Sequence, residues 1–408
     1  MTNLQFEEAP NGLRIVHMGV PQSAVGFFGI AVRVGSRDDG EDNHGLAHFV
    51  EHTIFKGTAK RRSWHIINRM EAVGGELNAF TTKEETVVFS AFPEGNLARA
   101  AELMADLVME SQFPEHEIEK EREVVADEID SYLDTPADAV FDDFDELIFA
   151  GNELSHNILG TRGALSKFSS TTCREYLAKW YVPSNMVAFY AGSLPAQRVF
   201  GIIGRAFRNL AGEHPTSNRI EPAVLAPFRL TKAIESHQSH TVMGARIGSA
   251  SSPDRYVSAL LANILGGPGM NSLLNVALRE RRGLVYSVDA SRTTFSDCGT
   301  MTIYYGCDPH DNERCRRLVE STITSVADGI ISERKLEAAK KQYLGQLVIA
   351  GENIENRILS IAHQYLFMGK VTSTEEIRDA IKSITRDEIC HGANRLSLSR
   401  LTLGPRTN

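Results

Sequence analysis

The sequence predicts an α+β chain of two duplicated domains, each a mostly antiparallel sheet with helices packed on one face. Two observations carry this. Amphipathic stretches at 97–112 and 115–132 stand among short β-rich runs at 86–92, 186–190 and 301–307, without the strict strand-helix-strand alternation of a parallel sheet. The phrase Ala31-Val32-Arg33-Val34-Gly35-Ser36 then returns as Gly244-Ala245-Arg246-Ile247-Gly248-Ser249, displaced by roughly half the chain, as an internal repeat would be.

Taken in order, 13–17 reads as a strand and 20–36 as a buried strand feeding a helix that begins near Leu46. On that helix His48, Glu51 and His52 fall within an arc of about 100°, while Leu46, Ala47, Phe49, Val50, Ile54 and Phe55 cover most of the remainder. A helix apolar nearly all round is buried. Carried forward by the repeat, His48 and His52 land on Leu261 and Leu265 of an apolar helix at 256–265, so the second copy lacks the polar set. Between the copies, Gly212, Pro215, Thr216, Ser217, Asn218, Pro222 and Pro227 give a linker composition. The expected domains are 1–212 and 229–408, joined by a linker at 213–228.

Composition excludes several function classes. With 42% hydrophobic and 23% charged residues the chain is globular. No run approaches the roughly eighteen apolar residues of a membrane span, and the N-terminus lacks basic and apolar regions, so no membrane partner and a cytoplasmic location are expected. A net charge of −9 argues against nucleic acid as partner. Five cysteines, odd in number and never in a Cys-x-x-Cys pair, indicate neither a disulfide framework nor a cysteine metal site.

Burying two imidazoles and a carboxylate is costly without a partner, and a divalent metal suits two histidines spaced i, i+4. His48-x-x-Glu51-His52 is the inverted form of the His-Glu-x-x-His zinc motif and implies a zinc hydrolase. A catalytic zinc commonly takes three protein ligands and leaves one position for water. Acids able to supply the third crowd 115–132. There Ile118, Val125, Ile129 and Tyr132 form an apolar stripe, and Glu119, Glu123, Asp127 and Asp130 project to the opposite side. Glu121 and Glu128, two turns apart, lie on the shoulder of the buried face, where an acid needs a partner. Zinc lowers the pKa of its water towards neutrality, and Glu51 is placed to take that proton and deliver it to a leaving amine. His44, four residues before His48, reads as a loop or cap residue rather than a further ligand, and His156, near Gly151 and Gly160, as a loop residue.

The runs Gly45-Leu46-Ala47-His48-Phe49-Val50-Glu51-His52-Thr53-Ile54-Phe55-Lys56-Gly57, then Gly74-Gly75-Glu76-Leu77-Asn78-Ala79-Phe80, then Glu121-Arg122-Glu123-Val124-Val125-Ala126-Asp127-Glu128 closely resemble the pitrilysin-like M16 metallopeptidases. The resemblance covers essentially the whole chain and is to short two-domain members such as the subunits of mitochondrial processing peptidase; insulin-degrading enzyme is another member. It implies a zinc site of His48, His52 and Glu128, one zinc per chain, with Glu121 a nearby acid and Glu51 the general base. It also implies that Tyr286 serves the oxyanion or scissile carbonyl and Arg279 the substrate backbone, with Arg282 as the alternative to Arg279. The loop at 266–274 departs from the family's more frequent Gly-Gly-Gly and Ser-Ser-Arg. Asn78 and Ala79 are implied to hydrogen-bond a peptide that adds as an extra edge strand.

The implied activity is that of a zinc endopeptidase acting on unstructured peptides or targeting segments. The implied assembly is a homodimer with composite sites, Arg279 and Tyr286 of one chain meeting the zinc of the other. The competing readings are a non-catalytic structural or partner subunit, which the intact His48, Glu51, His52 and Glu128 oppose, and zinc-dependent hydrolysis of a small molecule.

Overall fold

The computed structural model describes residues 3–217 and 219–405. They form two compact units, each discontinuous in sequence. The first takes the chain up to Asp130, His156–Arg219 and Ala350–Val371; the second takes Ser131–Ser155, Ile220–Ile349 and the stretch from Thr372 onward.

The first unit is built on β1 (Asn3–Glu8), β2 (Arg14–Gly19), β3 (Val25–Val32), β4 (Glu76–Thr81), β5 (Thr86–Pro93) and β6 (Met186–Gly192), in the sheet order β1-β2-β6-β3-β5-β4. Every pairing is antiparallel except β2 with β6, so the sheet is mixed. Side chains of β3 alternate between its faces, as a strand requires. Phe28, Ile30 and Val32 join a core with residues of α1 (Leu46–Thr53), α2 (Ser63–Glu71), α3 (Leu97–Glu110) and α4 (Glu115–Leu133). Ala31 points the other way, where Val16, Val87 and Phe189 meet Ile358, Ile361, Ala362 and Leu366 of the helix Ile354–Met368. The expectation of helices on one face therefore needs an addition: this sheet is covered on both. Its covering helix arrives from far along the chain, which local periodicity does not reveal.

The second unit holds β7 (Arg229–Ala233), β8 (Ser239–Ile247), β9 (Val285–Thr294), β10 (Gly299–Cys307) and β11 (Ser399–Gly404), ordered β7-β11-β8-β10-β9, with only β7 and β11 parallel. Strand for strand this repeats β2-β6-β3-β5-β4, and the repeated phrase begins in β3 and β8. The helix Arg255–Gly266 occupies the place of α1 and buries Leu261 and Leu265 where the first unit has His48 and His52. On the other face, α5 (Pro136–Ile148) packs Val140 and Phe144 among Val242, Leu401 and Leu403. Residues 131–155 and 350–371 thus each belong to the unit that sequence order alone would not assign, while the division at Arg219 falls inside the proline-rich stretch. None of the five cysteines is in a disulfide, and no helix of the described residues is long and apolar enough to cross a membrane.

Candidate metal centre

The helix α1 starts at Gly45, whose φ of +96° and closeness to the Leu159 carbonyl, 2.6 Å from where a Cβ would sit, admit glycine alone. Glycine has no side chain with which to cap the helix. The buried carboxylate of Asp39 does so instead, accepting from the amides of Gly45 and Ala47, each at 2.8 Å. Phe49, Val50 and Ile54 are fully buried, and at about 1.5–3 kcal/mol apiece their burial offsets the cost of seating His48 beside them. Opposite, α4 docks through Ile118, Val125 and Ile129, which brings the buried Glu121 and the half-exposed Glu128 towards the histidines.

Nε2 of His48 and Nε2 of His52 stand 3.8 and 3.6 Å from Oε2 of Glu128, and the three ligand atoms all lie within 4.8 Å of one another. These separations are too long for hydrogen bonds and suit three atoms sharing an ion. Bonds of about 2.0–2.2 Å at tetrahedral angles would place ligand atoms roughly 3.4 Å apart. Two imidazoles and one carboxylate form a set that fits zinc. Burial, then the neighbouring His52, push the His48 pKa down to about 4, so this ring is neutral, as a ligand must be. Burial also lowers the pKa of His52, but the Glu121 hydrogen bond and the charges of Glu51 and Glu128 raise it overall.

Behind the ligands, Nδ1 of His52 lies 3.0 Å from Oε1 of Glu121, and Oε2 of Glu121 lies 2.7 Å from Nζ of Lys56. Burial alone would raise the Glu121 pKa; its bonds to His52 and Lys56 hold it below the usual carboxylate range. Glu51 shows the opposite balance. Burial raises its pKa although His52 and the Thr81 hydroxyl act against it. Thr81 donates to Oε2 of Glu51 at 3.1 Å from the last residue of β4, which is the outer strand of its sheet. Asn78 and Ala79 lie on that same strand, opposite Phe89 and Val88. The exposed Asn78 accepts the Ala79 amide through its own Oδ1 at 3.1 Å, so this amide is not spent on β5.

The second unit carries the remaining expected residues. Arg279 lies in a π-helix, Asn275–Glu280, a rare form that concentrates at functional sites. It is exposed, without a side-chain hydrogen bond or ion pair among the described residues. Arg282 is tied locally, donating to the Ala277 carbonyl at 2.8 Å. Tyr286 is the second residue of the edge strand β9 and is 81% exposed.

The first unit therefore gathers His48, His52 and Glu128, with Glu51 on the same helix as the imidazoles, Glu121 behind them, and Asn78 and Ala79 on the strand whose end holds Glu51. Sequence reasoning missed Asp39, Lys56 and Thr81. Lys56 follows His52 by four positions, and that spacing is a usable signal. Nothing local distinguishes Asp39 or Thr81 from ordinary turn and strand residues. His44 and His156, read as separate loop residues, are in ring contact at 3.5 Å between centroids.

Comparison with known proteins fits this geometry. Residues 15–162 match the family described as Insulinase (Peptidase family M16), and residues 167–343 match the Peptidase M16 inactive domain. An uncharacterized zinc protease of Mycobacterium tuberculosis is 32% identical, over 97% of this chain and 92% of its own length. One of Mycobacterium leprae is 30% identical, over 97% and 90%. In fold, the chain is similar to a protease from Helicobacter pylori, with a TM-score of 0.92 at 19% identity, covering 99% of this chain and all of that one.

Proposed function

Since the chain belongs to peptidase family M16, we propose that it is a zinc endopeptidase that cuts unstructured peptides bound as an added edge strand. The observation that carries this reading is the convergence of His48, His52 and Glu128 beside a fourth ionisable group, Glu51, which is left free of the ligand set. When bound, zinc supplies Lewis acidity for a carbonyl and acidifies water.

The chain's own groups do the rest. Glu51, its pKa raised by burial, takes a proton from the attacking water and returns it to the leaving amine. Glu121 orients the His52 ring, and Lys56 keeps Glu121 ionised. The edge of β4 offers the Ala79 amide to a substrate backbone, which favours extended chains over folded ones. Tyr286 and Arg279, exposed on the second unit, are assigned to the developing oxyanion and the substrate backbone. We assign them to the metal centre of a second copy in a homodimer.

Zinc content and cleavage of a quenched fluorescent peptide test the activity. One zinc per chain is expected, with activity abolished in Glu51→Gln while zinc is retained. A chain that binds zinc but cuts no peptide of a broad panel would instead be a non-catalytic partner subunit. Mixing Glu51→Gln with Tyr286→Phe chains tests the shared sites: verified heterodimers should regain activity, and silent ones would refute sharing.

A further inference from the structure

Away from the metal centre, the first unit contains a cavity of about 390 Å³ lined by Arg33, Asn185, His214, Thr216, Ser217 and Arg219. That is the size of a small-molecule site. No carboxylate lines it. The charges beside it are unevenly matched. Arg219 is spent, with Nε and Nη2 on Asp38 at 2.9 and 2.7 Å and Nη1 on Glu84 at 3.2 Å. Glu84 is also held by Arg37 at 2.8 Å. Two carboxylates thus answer two guanidinium groups, and Arg33 is the third. Arg33 is half-buried and lies over the Phe367 ring at 5.5 Å, with no ion pair or side-chain hydrogen bond among the described residues. Burial, then the charge of Arg219, depress its pKa more than the charges of Glu84 and Asp38 raise it, and neither carboxylate is paired with it directly.

Other donors face the same space. Nδ1 of His214 is engaged with Ser184 at 3.2 Å, which leaves Nε2, and the Thr216 hydroxyl has no hydrogen bond among the described residues. The Asn185 amide nitrogen is taken by the carbonyls of Arg33 and Trp180, and Ser217 donates to Asp38. A guanidinium fork from one segment, with an imidazole and a hydroxyl from another, suits a tetrahedral oxyanion better than a flat carboxylate. We infer that this cavity binds a phosphate group, free or as the ester end of a small molecule, with Arg33 as its anchor. Such an occupant links the end of β3 to the 214–217 stretch.

Calorimetric titration of the zinc-loaded chain with inorganic phosphate, a nucleoside monophosphate and acetate tests this. Saturable phosphate binding is expected at about 1 mM or tighter, weakened about tenfold or more in Arg33→Gln and unchanged in His52→Ala. A monophosphate that binds more tightly than inorganic phosphate identifies the ligand as an ester, and equal affinity identifies free phosphate. If Arg33→Gln does not fold, Thr216→Ala on the exposed stretch carries the test, with about threefold weakening expected. Absence of saturation, full affinity in both variants, acetate binding as tightly as phosphate, or loss in His52→Ala, which would put the anion on the metal, overturns the inference.

Discussion

Nδ1 of His52 stands 3.0 Å from Oε1 of Glu121, and this hydrogen bond fixes the ring so that Nε2 is the atom facing Glu128. Glu121 thereby serves the metal without touching it. Glu121→Ala is expected to lower zinc affinity about 10–100-fold, measured by competition with a chelator, while Glu121→Gln, which keeps an acceptor but loses the charge, falls between. Lys56→Ala should cost less than either. Wild-type affinity in Glu121→Ala would show that His52 needs no support.

Asp39, six positions before Gly45, caps α1 in place of the side chain that Gly45 lacks. Asp39→Ala strips an acceptor from two helix amides and should cost about 1–3 kcal/mol in denaturant unfolding. Asp39→Asn, which keeps one acceptor oxygen, should cost about half as much. An unchanged unfolding midpoint in Asp39→Ala would remove Asp39 from the support of this helix.

His363, on the helix that covers the second face of the first sheet, pairs with Glu85 at 2.9 Å. Burial lowers its pKa, but the Glu85 bond and the charges of Glu85 and Glu84 raise it above the ordinary 6.5. A raised histidine contributes stability that is complete below its unfolded pKa and is lost as pH rises through the folded one. Thermal unfolding of the wild type should therefore weaken through and above pH 6.5 relative to His363→Gln, which lacks this dependence. Parallel curves for the two proteins would exclude the pair as a source of pH sensitivity.

Ala79→Pro removes the outward amide from β4, and edge strands accept proline. If substrates add to this edge, kcat/KM for extended peptides should fall about tenfold or more with zinc content intact. Undiminished kcat/KM would place the peptide elsewhere.

The metal helix could be read from residues alone because burial and polarity conflict there: three ionisable groups share a helix whose other faces are apolar, and only a site resolves that conflict. Glu128 was narrower to reach. Periodicity separated it and Glu121 from the solvated acids of α4, but choosing between them took resemblance. The repeat was visible in six residues of β3 and β8, and the matching strand order of the two sheets follows it. What stayed hidden depends on distant parts of the chain. Neither the crossing of α5 and Ile354–Met368 between units nor the single parallel pair in each sheet leaves a local pattern. Asp39 acts through two hydrogen bonds to helix amides, Thr81 through a hydrogen bond and Lys56 through an ion pair, all formed only once the chain has folded.

Anomalous scattering at the zinc absorption edge, from crystals of the Glu51→Gln chain grown with zinc, addresses the metal centre most directly. The expected result is one strong peak per chain bonded to Nε2 of His48, Nε2 of His52 and a carboxylate oxygen of Glu128, at about 2.0–2.2 Å. A peak elsewhere, or no peak at this site from crystals that contain zinc, would contradict it.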